Sequence, residues 1–189
     1  MKKGFLFIIS GPSAVGKTVV SAEVFKKNPS ISKVVTYTTR PMRATEQNGV
    51  DYHFVYKEKF LELEKNGEFV EFSLVYGNYY GVRLSSLTEA IEQGRDQLLL
   101  INWEGFQKIK RKITSNVFGF FLTTDMKELE RRIRTRATDS EEVIQNRLKM
   151  AAEDMQHKNE FDLCVENVEI QDTAQKILTK MQEIKGAVD

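Results

Sequence analysis

FLFIISGPSAVGKTVV, residues Phe5 to Val20, decides how the rest of the chain is read. Five apolar residues in a row, Phe5 to Ile9, bounded by Ser10-Gly11, predict a strand buried on both faces, and a helical pattern resumes after Gly16. Between them GPSAVGKT, Gly11 to Thr18, has the spacing Gly, four residues, Gly, Lys, Thr of a phosphate-binding loop. The spacing has a mechanical cause. Such a loop, here Gly11, Pro12, Ser13, Ala14, Val15 and Gly16, turns backbone N–H groups inward around a polyphosphate, and Gly11 and Gly16 tolerate the dihedrals and close approach this requires. Lys17 then supplies a point charge to the β and γ phosphates. Thr18 offers a hydroxyl to Mg²⁺, and the helix that starts here points its positive end at the anion. The plain alternative is a glycine turn that only joins two core elements, and the strand-then-helix setting weighs against it.

The 189 residues suit one compact domain with a small insertion. Hydrophobic residues at 41% and charged ones at 29% are an ordinary soluble globular balance. With 28 basic and 27 acidic residues the net charge is +1, so a broad nucleic-acid surface is not expected and any basic site is local. Cys164 is the chain's single cysteine, which excludes an intramolecular disulfide and fits a reducing compartment; its place in the apolar run Leu163 to Val165 predicts a packing role. His53 and His157 are too far apart, and too short of cysteine neighbours, to suggest a zinc site. The N-terminal MKKGFLFIIS has the lysines of a secretory signal, but its apolar run stops at the phosphate loop after five residues. A cytoplasmic protein without a membrane span is expected.

Along the chain, Gly16 to Lys27 predicts a helix stopped by Asn28-Pro29, and Ser32 to Tyr37 a second strand. The run TTRPMRATEQNGVDYHFV that follows is polar, glycine-bearing and dense in functional groups, a loop suited to carry a site. Tyr52 to Tyr56 reads as a short strand, Lys57 to Lys65 as a helix, and Phe69 to Tyr76 with Tyr79 to Val82 as a hairpin turned at Gly77-Asn78. Short antiparallel strands between Tyr37 and Leu84 thus form a small inserted subdomain. Strand and helix then alternate: a helix at Ser85 to Gln93, a strand at Gln97 to Asn102, a helix at Glu104 to Lys112, a strand at Val117 to Leu122 and a helix capped by Thr124-Asp125. That rhythm predicts an α/β fold with a parallel sheet, helices on both faces, and a ligand at the carboxyl ends of the strands. Arg131, Arg132, Arg134 and Arg136 crowd one and a half helical turns, and Arg147 lies on the next helix. Phe161 to Val165 is a last strand and Asp172 to Lys185 an amphipathic closing helix with Ile177, Leu178, Met181 and Ile184 inward.

At Thr38-Thr39-Arg40, Asn48-Gly49, Asp51-Tyr52, Glu71 and Gly77-Asn78-Tyr79-Tyr80-Gly81 the chain resembles the guanylate kinases, nearly end to end. The resemblance implies a P-loop fold in a single domain: a core of residues 1–35, 84–125 and 160–189, a mixed GMP-binding subdomain at 36–83, and a helical lid with flanking helices at 126–159. It implies Mg²⁺-dependent transfer of the ATP γ-phosphoryl group to GMP, and to dGMP, giving ADP and the diphosphate. By similarity Arg40, Arg43, Tyr52 and Tyr80 hold the GMP phosphate, Glu71 and Thr36 read guanine, and Asn102 faces the acceptor. Lys17, Arg132, Arg136 and Arg147 gather on the ATP phosphates, and Asn167 contacts adenine. The chemistry agrees. Guanine shows two adjacent donors, N1–H and the 2-amino group, to one carboxylate, whereas adenine puts an acceptor at N1. Of the neighbours Tyr79 and Tyr80 one faces each side of its strand, and Tyr80 is expected to be the ligand. Arg131 and Arg134 have no such counterpart and read as a solvated helix face paired with nearby glutamates.

Three features depart from that family's pattern. Leu100 and Asn102 stand where an acidic residue and an aspartate are usual, Val82 replaces a hydroxyl residue, and Pro41 sits one place early, which restrains Arg40 and re-aims Arg43. Each lost hydrogen bond to a charged ligand group costs about 1.5 to 3 kcal/mol, so affinity or rate falls without the chemistry being abolished. Two alternatives therefore stay open: a ribose 1,5-bisphosphate phosphokinase, which needs neither Glu71 nor Asn48 to Tyr52, and a non-catalytic guanylate-kinase-like module, which needs neither the phosphate loop nor the arginines. Nothing in the sequence selects between a monomer and a homodimer.

Overall fold

β1, Leu6–Ser10, is buried at every position, and the alternation of a strand sorts its residues between two cores. Phe5, Phe7 and Ile9 enter one cluster with Val20 and Val24 of α1 (Lys17–Lys27) and with Ala174, Ile177 and Met181 of the closing helix. Leu6 and Ile8 enter the other, with Leu99, Phe106 and Ile109. Each such side chain contributes about 1.5–3 kcal/mol on burial, which is why this run can only be a central strand. The structure, a computed structural model, describes residues 2–75, 77–135 and 140–188.

β2 (Ser32–Lys33), β7 (Gln97–Leu100), β8 (Val117–Thr123) and β9 (Leu163–Glu166) join β1 in a five-stranded sheet of order β2-β7-β1-β8-β9, parallel throughout. A second, four-stranded sheet has the order β4-β3-β6-β5. It is built from β3 (Tyr37–Thr38), β4 (His53–Phe54), β5 (Phe69–Val75) and β6 (Asn78–Arg83), with α2 (Lys57–Lys65) against it through Phe60. α3 (Leu84–Glu92), α4 (Trp103–Lys112), α5 (Met126–Thr135), α6 (Glu141–Gln156) and α7 (Ile170–Val188) complete seven α-helices among the described residues. Val70 and Val82 of the second sheet pack into the same cluster as Leu99 and Phe106, so the two sheets share one apolar wall.

The predicted strand from Ser32 to Tyr37 is two strands in two sheets. Val34 still donates to Leu98 O at 3.0 Å beside β7, and by Tyr37 the chain has crossed to pair with Gly81 of β6. An unbroken apolar-polar run in sequence cannot show that its two ends bond to different partners. The second sheet is also mixed rather than wholly antiparallel, because β3 and β4 run the same way. Cys164 is a further correction: it is exposed, since β9 is the edge strand and only the face carrying Val165 is covered. Asn102 is not the end of a strand; β7 stops at Leu100, and the Asn102 side chain accepts from Gly105 N at 3.0 Å as the N-cap of α4. Asp125 does the same for α5, accepting from Lys127 N at 2.8 Å, as expected.

Parallel strands put all their carboxyl ends on one edge of the sheet. The loop after β1, Asn102 after β7, Asp125 after β8 and Asn167 after β9 therefore gather where a ligand binds in such sheets.

Candidate active site

The loop from Gly11 to Thr18 winds through positive φ at Gly11 (133°), Ala14 (63°) and Gly16 (106°). A Cβ at Gly11 would lie 2.4 Å from Leu122 O, and one at Gly16 2.4 Å from Asn167 Nδ2, so both glycines are required by close approach as well as by dihedral. The Val15 carbonyl is turned away from the loop's hollow. It accepts from Asn167 Nδ2 at 2.8 Å and from an Arg132 guanidinium nitrogen at 3.2 Å. Because the peptide is planar and trans, that fixes the following Gly16 N–H in the opposite direction, into the hollow. Lys17 Nζ donates to Gly11 O at 2.6 Å and Pro12 O at 2.9 Å, holding the loop closed around its own ammonium. Thr18 lies exposed in the first turn of α1.

Asn167 is 2% exposed, and its Oδ1 is buried without a hydrogen-bond partner. It lines a cavity of about 370 Å³ with Ala14, Gly16, Arg132 and Val168. Glu128 steers the arginines on α5: it accepts from Arg131 and Arg132, each at 2.7 Å, and these bonds hold its carboxyl down at about 2. Arg131 and Arg134 are committed to Glu128, Glu130 and Glu141 at the surface, as expected of a solvated face. Arg147 is half-buried on α6. Arg136 lies outside the described residues.

Across the cleft, Thr38 and Thr39 clip β3 to β6: Thr38 Oγ1 donates to Tyr79 O at 3.0 Å, and Tyr79 N donates to Thr39 Oγ1 at 2.9 Å. That clip sets Arg40 beside Tyr80, whose hydroxyl bonds it, with the guanidinium 5.6 Å from the Tyr52 ring centre. The Tyr52 and Tyr80 rings are 6.0 Å apart, so Arg40, Tyr52 and Tyr80 converge. Tyr79 faces the other way and stacks on Phe60 at 5.3 Å. Arg40 is held meanwhile by Glu46 at 2.6 Å, an anion that also accepts from Arg43 N at 2.8 Å and whose carboxyl is lowered mainly by Arg40. The Arg43 backbone is thus tied in while its side chain is exposed. Asn48, Gly49 and Asp51 build the turn that presents Tyr52, Asn48 Oδ1 accepting from Phe54 N at 2.9 Å and Asp51 Oδ2 from Gln47 N at 2.8 Å.

Glu71, on β5, is 8% exposed and makes no hydrogen bond among the described residues. Burial pushes its carboxyl above the usual range, against the attraction of Lys108, whose Nζ is 3.9 Å away. Thr36 makes no hydrogen bond to it; it lines a separate cavity of about 330 Å³ with Thr18, Lys33, Asp51, Tyr52 and Leu100. A larger cavity of about 610 Å³ runs along β9 and α7 and carries none of the loop's residues, so size does not mark the site here.

Several residues at the cleft went unread in the sequence. Asp154, half-buried on α6, has its carboxyl raised by burial while Lys17 pulls it down, which places it opposite the phosphate loop. Trp103, at the start of α4, stacks on His157 with ring centres 3.5 Å apart, and both bond Glu160, at 2.8 and 2.7 Å. This cluster ties the end of α6 to the start of α4. No local pattern announces the contacts of Trp103 with His157 and Glu160 or of Asp154 with Lys17; they are made by residues more than fifty positions apart.

A family model described as guanylate kinase matches residues 3–184. A guanylate kinase of Clostridioides difficile (strain 630) is 37% identical over 177 residues, 94% of this chain and 86% of that protein. One from Vibrio vulnificus (strain YJ016) is 42% identical over 169 residues, 88% of this chain and 82% of the relative. Among solved structures, the guanylate kinase of Anaplasma phagocytophilum superposes with a TM-score of 0.73 at 32% identity, covering 97% of this chain and 87% of that one.

Proposed function

Because the chain belongs to the guanylate kinase family, we propose that the two sides of its cleft are the donor and acceptor pockets of one phosphoryl transfer. The family's reaction is the ATP-dependent phosphorylation of GMP to GDP, and this chain is such an enzyme. In the proposed arrangement residues 36–83 carry the acceptor, 126–159 close over the donor, and the rest is the core that aligns them. The loop cradles the ATP phosphates, Lys17 exchanging its bonds to Gly11 O and Pro12 O for phosphate oxygens. Asn167 keeps its Nδ2 on Val15 O and turns its unpartnered Oδ1 to a donor on the base, the adenine amino group. Arg40, Arg43, Tyr52 and Tyr80 take the GMP phosphate, which displaces Glu46 from Arg40. An anionic phosphate oxygen of GMP then attacks the γ phosphorus as its bond to the bridging oxygen of ADP breaks. No general base is required, and the arginines neutralise charge on the transferred group.

Among the described residues no group of three or more His, Cys, Asp or Glu is arranged to hold a metal. Mg²⁺ would be held by phosphate oxygens and waters, with the exposed Thr18 hydroxyl as the protein's ligand. When bound, the ion neutralises charge on the β and γ phosphates. No described helix is long and apolar enough to cross a membrane.

The acceptor assignment is carried by one observation: Glu71 is a buried carboxylate to which no hydrogen bond is made among the described residues. A buried acceptor left bare is costly unless a ligand supplies donors, and guanine supplies two. Glu71→Gln is expected to lower kcat/KM for GMP about ten- to a hundredfold while KM for ATP is unchanged. An unchanged KM for GMP would remove Glu71 from the pocket. Two pH effects follow. Only the ionised carboxylate accepts both donors, so kcat/KM for GMP falls as pH drops through the raised pKa of Glu71. Stability moves the opposite way. A carboxyl raised on folding stabilises below its unfolded pKa, and that stability is lost as pH rises through the folded one, so Glu71→Gln leaves Tm at neutral pH unchanged or higher.

A further inference from the structure

Glu71 stands in a small electrostatic frame of its own. Its register partner across the hairpin is Val82, buried and apolar, and the nearest charge on β6, Arg83, is committed to Glu68. The charges facing it come from α4, where Lys108 Nζ lies 3.9 Å from Glu71 Oε1 and Glu104 also acts on the carboxylate. Glu104 and Lys108 are four residues apart in α4, hence one above the other on the same helix face. The Lys108 side chain is 50% exposed, whereas that of Glu71 is 9% exposed, so the lysine reaches into the pocket from its rim.

We propose that Lys108 is a positioning residue for acceptor recognition: it is the counter-ion that keeps Glu71 charged and aimed into the pocket, and Glu104 is the opposing charge that sets the strength of that hold. The proposal rests on Glu71 reading guanine and adds what tunes it. Buried beside Val82 and without a hydrogen bond among the described residues, Glu71 would otherwise take up a proton as the pH falls and lose the acceptor that guanine needs. Lys108 opposes this through charge alone, since 3.9 Å is longer than a hydrogen bond. It leaves both carboxylate oxygens open to the ligand. The frame thereby acts on GMP affinity, and through it on the choice of guanine over adenine, with no part in the transfer step.

The test is kcat/KM for GMP against pH in four single variants. Lys108→Gln is expected to move the acidic fall to higher pH and raise KM for GMP about two- to fivefold on the acid side, with kcat and KM for ATP unchanged. Glu104→Gln is expected to move the fall to lower pH, and Lys108→Arg to restore the parent profile. Glu71→Gln removes the fall. If Glu71→Gln removes it and Lys108→Gln leaves it unmoved, the inference is wrong and the acceptor assignment stands. If Lys108→Gln and Glu104→Gln move it the same way, the effect is structural and the inference is again wrong. A fall that persists in Glu71→Gln overturns the assignment and the inference together.

Discussion

In the proposed arrangement the two sides of the cleft solve the same problem, holding a phosphate, with different materials. The donor side is backbone: a tight loop at positive φ, whose shape is locked from far along the chain by Asn167 and Arg132 on the Val15 carbonyl. The acceptor side is side chains, Arg40, Tyr52 and Tyr80, on short strands held by local clips such as Thr38 and Thr39 on Tyr79. A backbone cradle tolerates few residues and leaves a compact motif. A side-chain pocket is spread thin, its members meeting only through strand pairing, and its arginine is paired with an internal anion, Glu46.

The sharpest way to break the contrast is to remove the ammonium that the donor loop encloses. Lys17→Ala is expected to lower kcat by about a thousandfold or more while GMP binding, followed by titration calorimetry, is retained; normal turnover would contradict the loop assignment. Asn167→Ala tests whether the loop's shape is held from afar. It removes the Nδ2 bond to Val15 O, and should cost about 1 to 3 kcal/mol in denaturant unfolding and raise KM for ATP with little effect on GMP. Asn102→Asp asks whether the acceptor side lacks a charge. Aspartate caps a helix as well as asparagine does, so α4 is preserved, and kcat/KM for GMP is expected to rise several-fold if position 102 faces the nucleotide. The smallest effect is at Ala14, a non-glycine residue at φ 63°; Ala14→Gly relieves strain in the loop but adds unfolded-state entropy, and Tm should shift by no more than about 1 kcal/mol of stability implies.

The difference also explains what could be read early. Gly11 to Thr18 was legible because a phosphate loop is contiguous, and β1 because five buried residues admit no other place in a sheet. The hairpin and the Tyr79–Tyr80 division followed from strand alternation, and Phe60 takes Tyr79 accordingly. The strand from Ser32 to Tyr37 misled, because hydrophobic pattern reports burial and not bonding partner. Cys164 misled for a related reason: an apolar neighbourhood in sequence does not tell an edge strand from a central one.

By itself the sequence determined the elements whose cause is local: the loop's glycines, the cap at Asp125, and the inward stripe of α7. Tertiary structure alone decided which distant groups share the cleft. Only the parallel sheet brings Asn167 to Val15, only the packing of α4 on β5 brings Lys108 to Glu71, and only the fold of α6 turns Asp154 toward Lys17. Dihedral preference and burial are properties of a short stretch and are written there. The field around a charge is the sum over whatever the fold places near it, and no stretch of chain contains that sum.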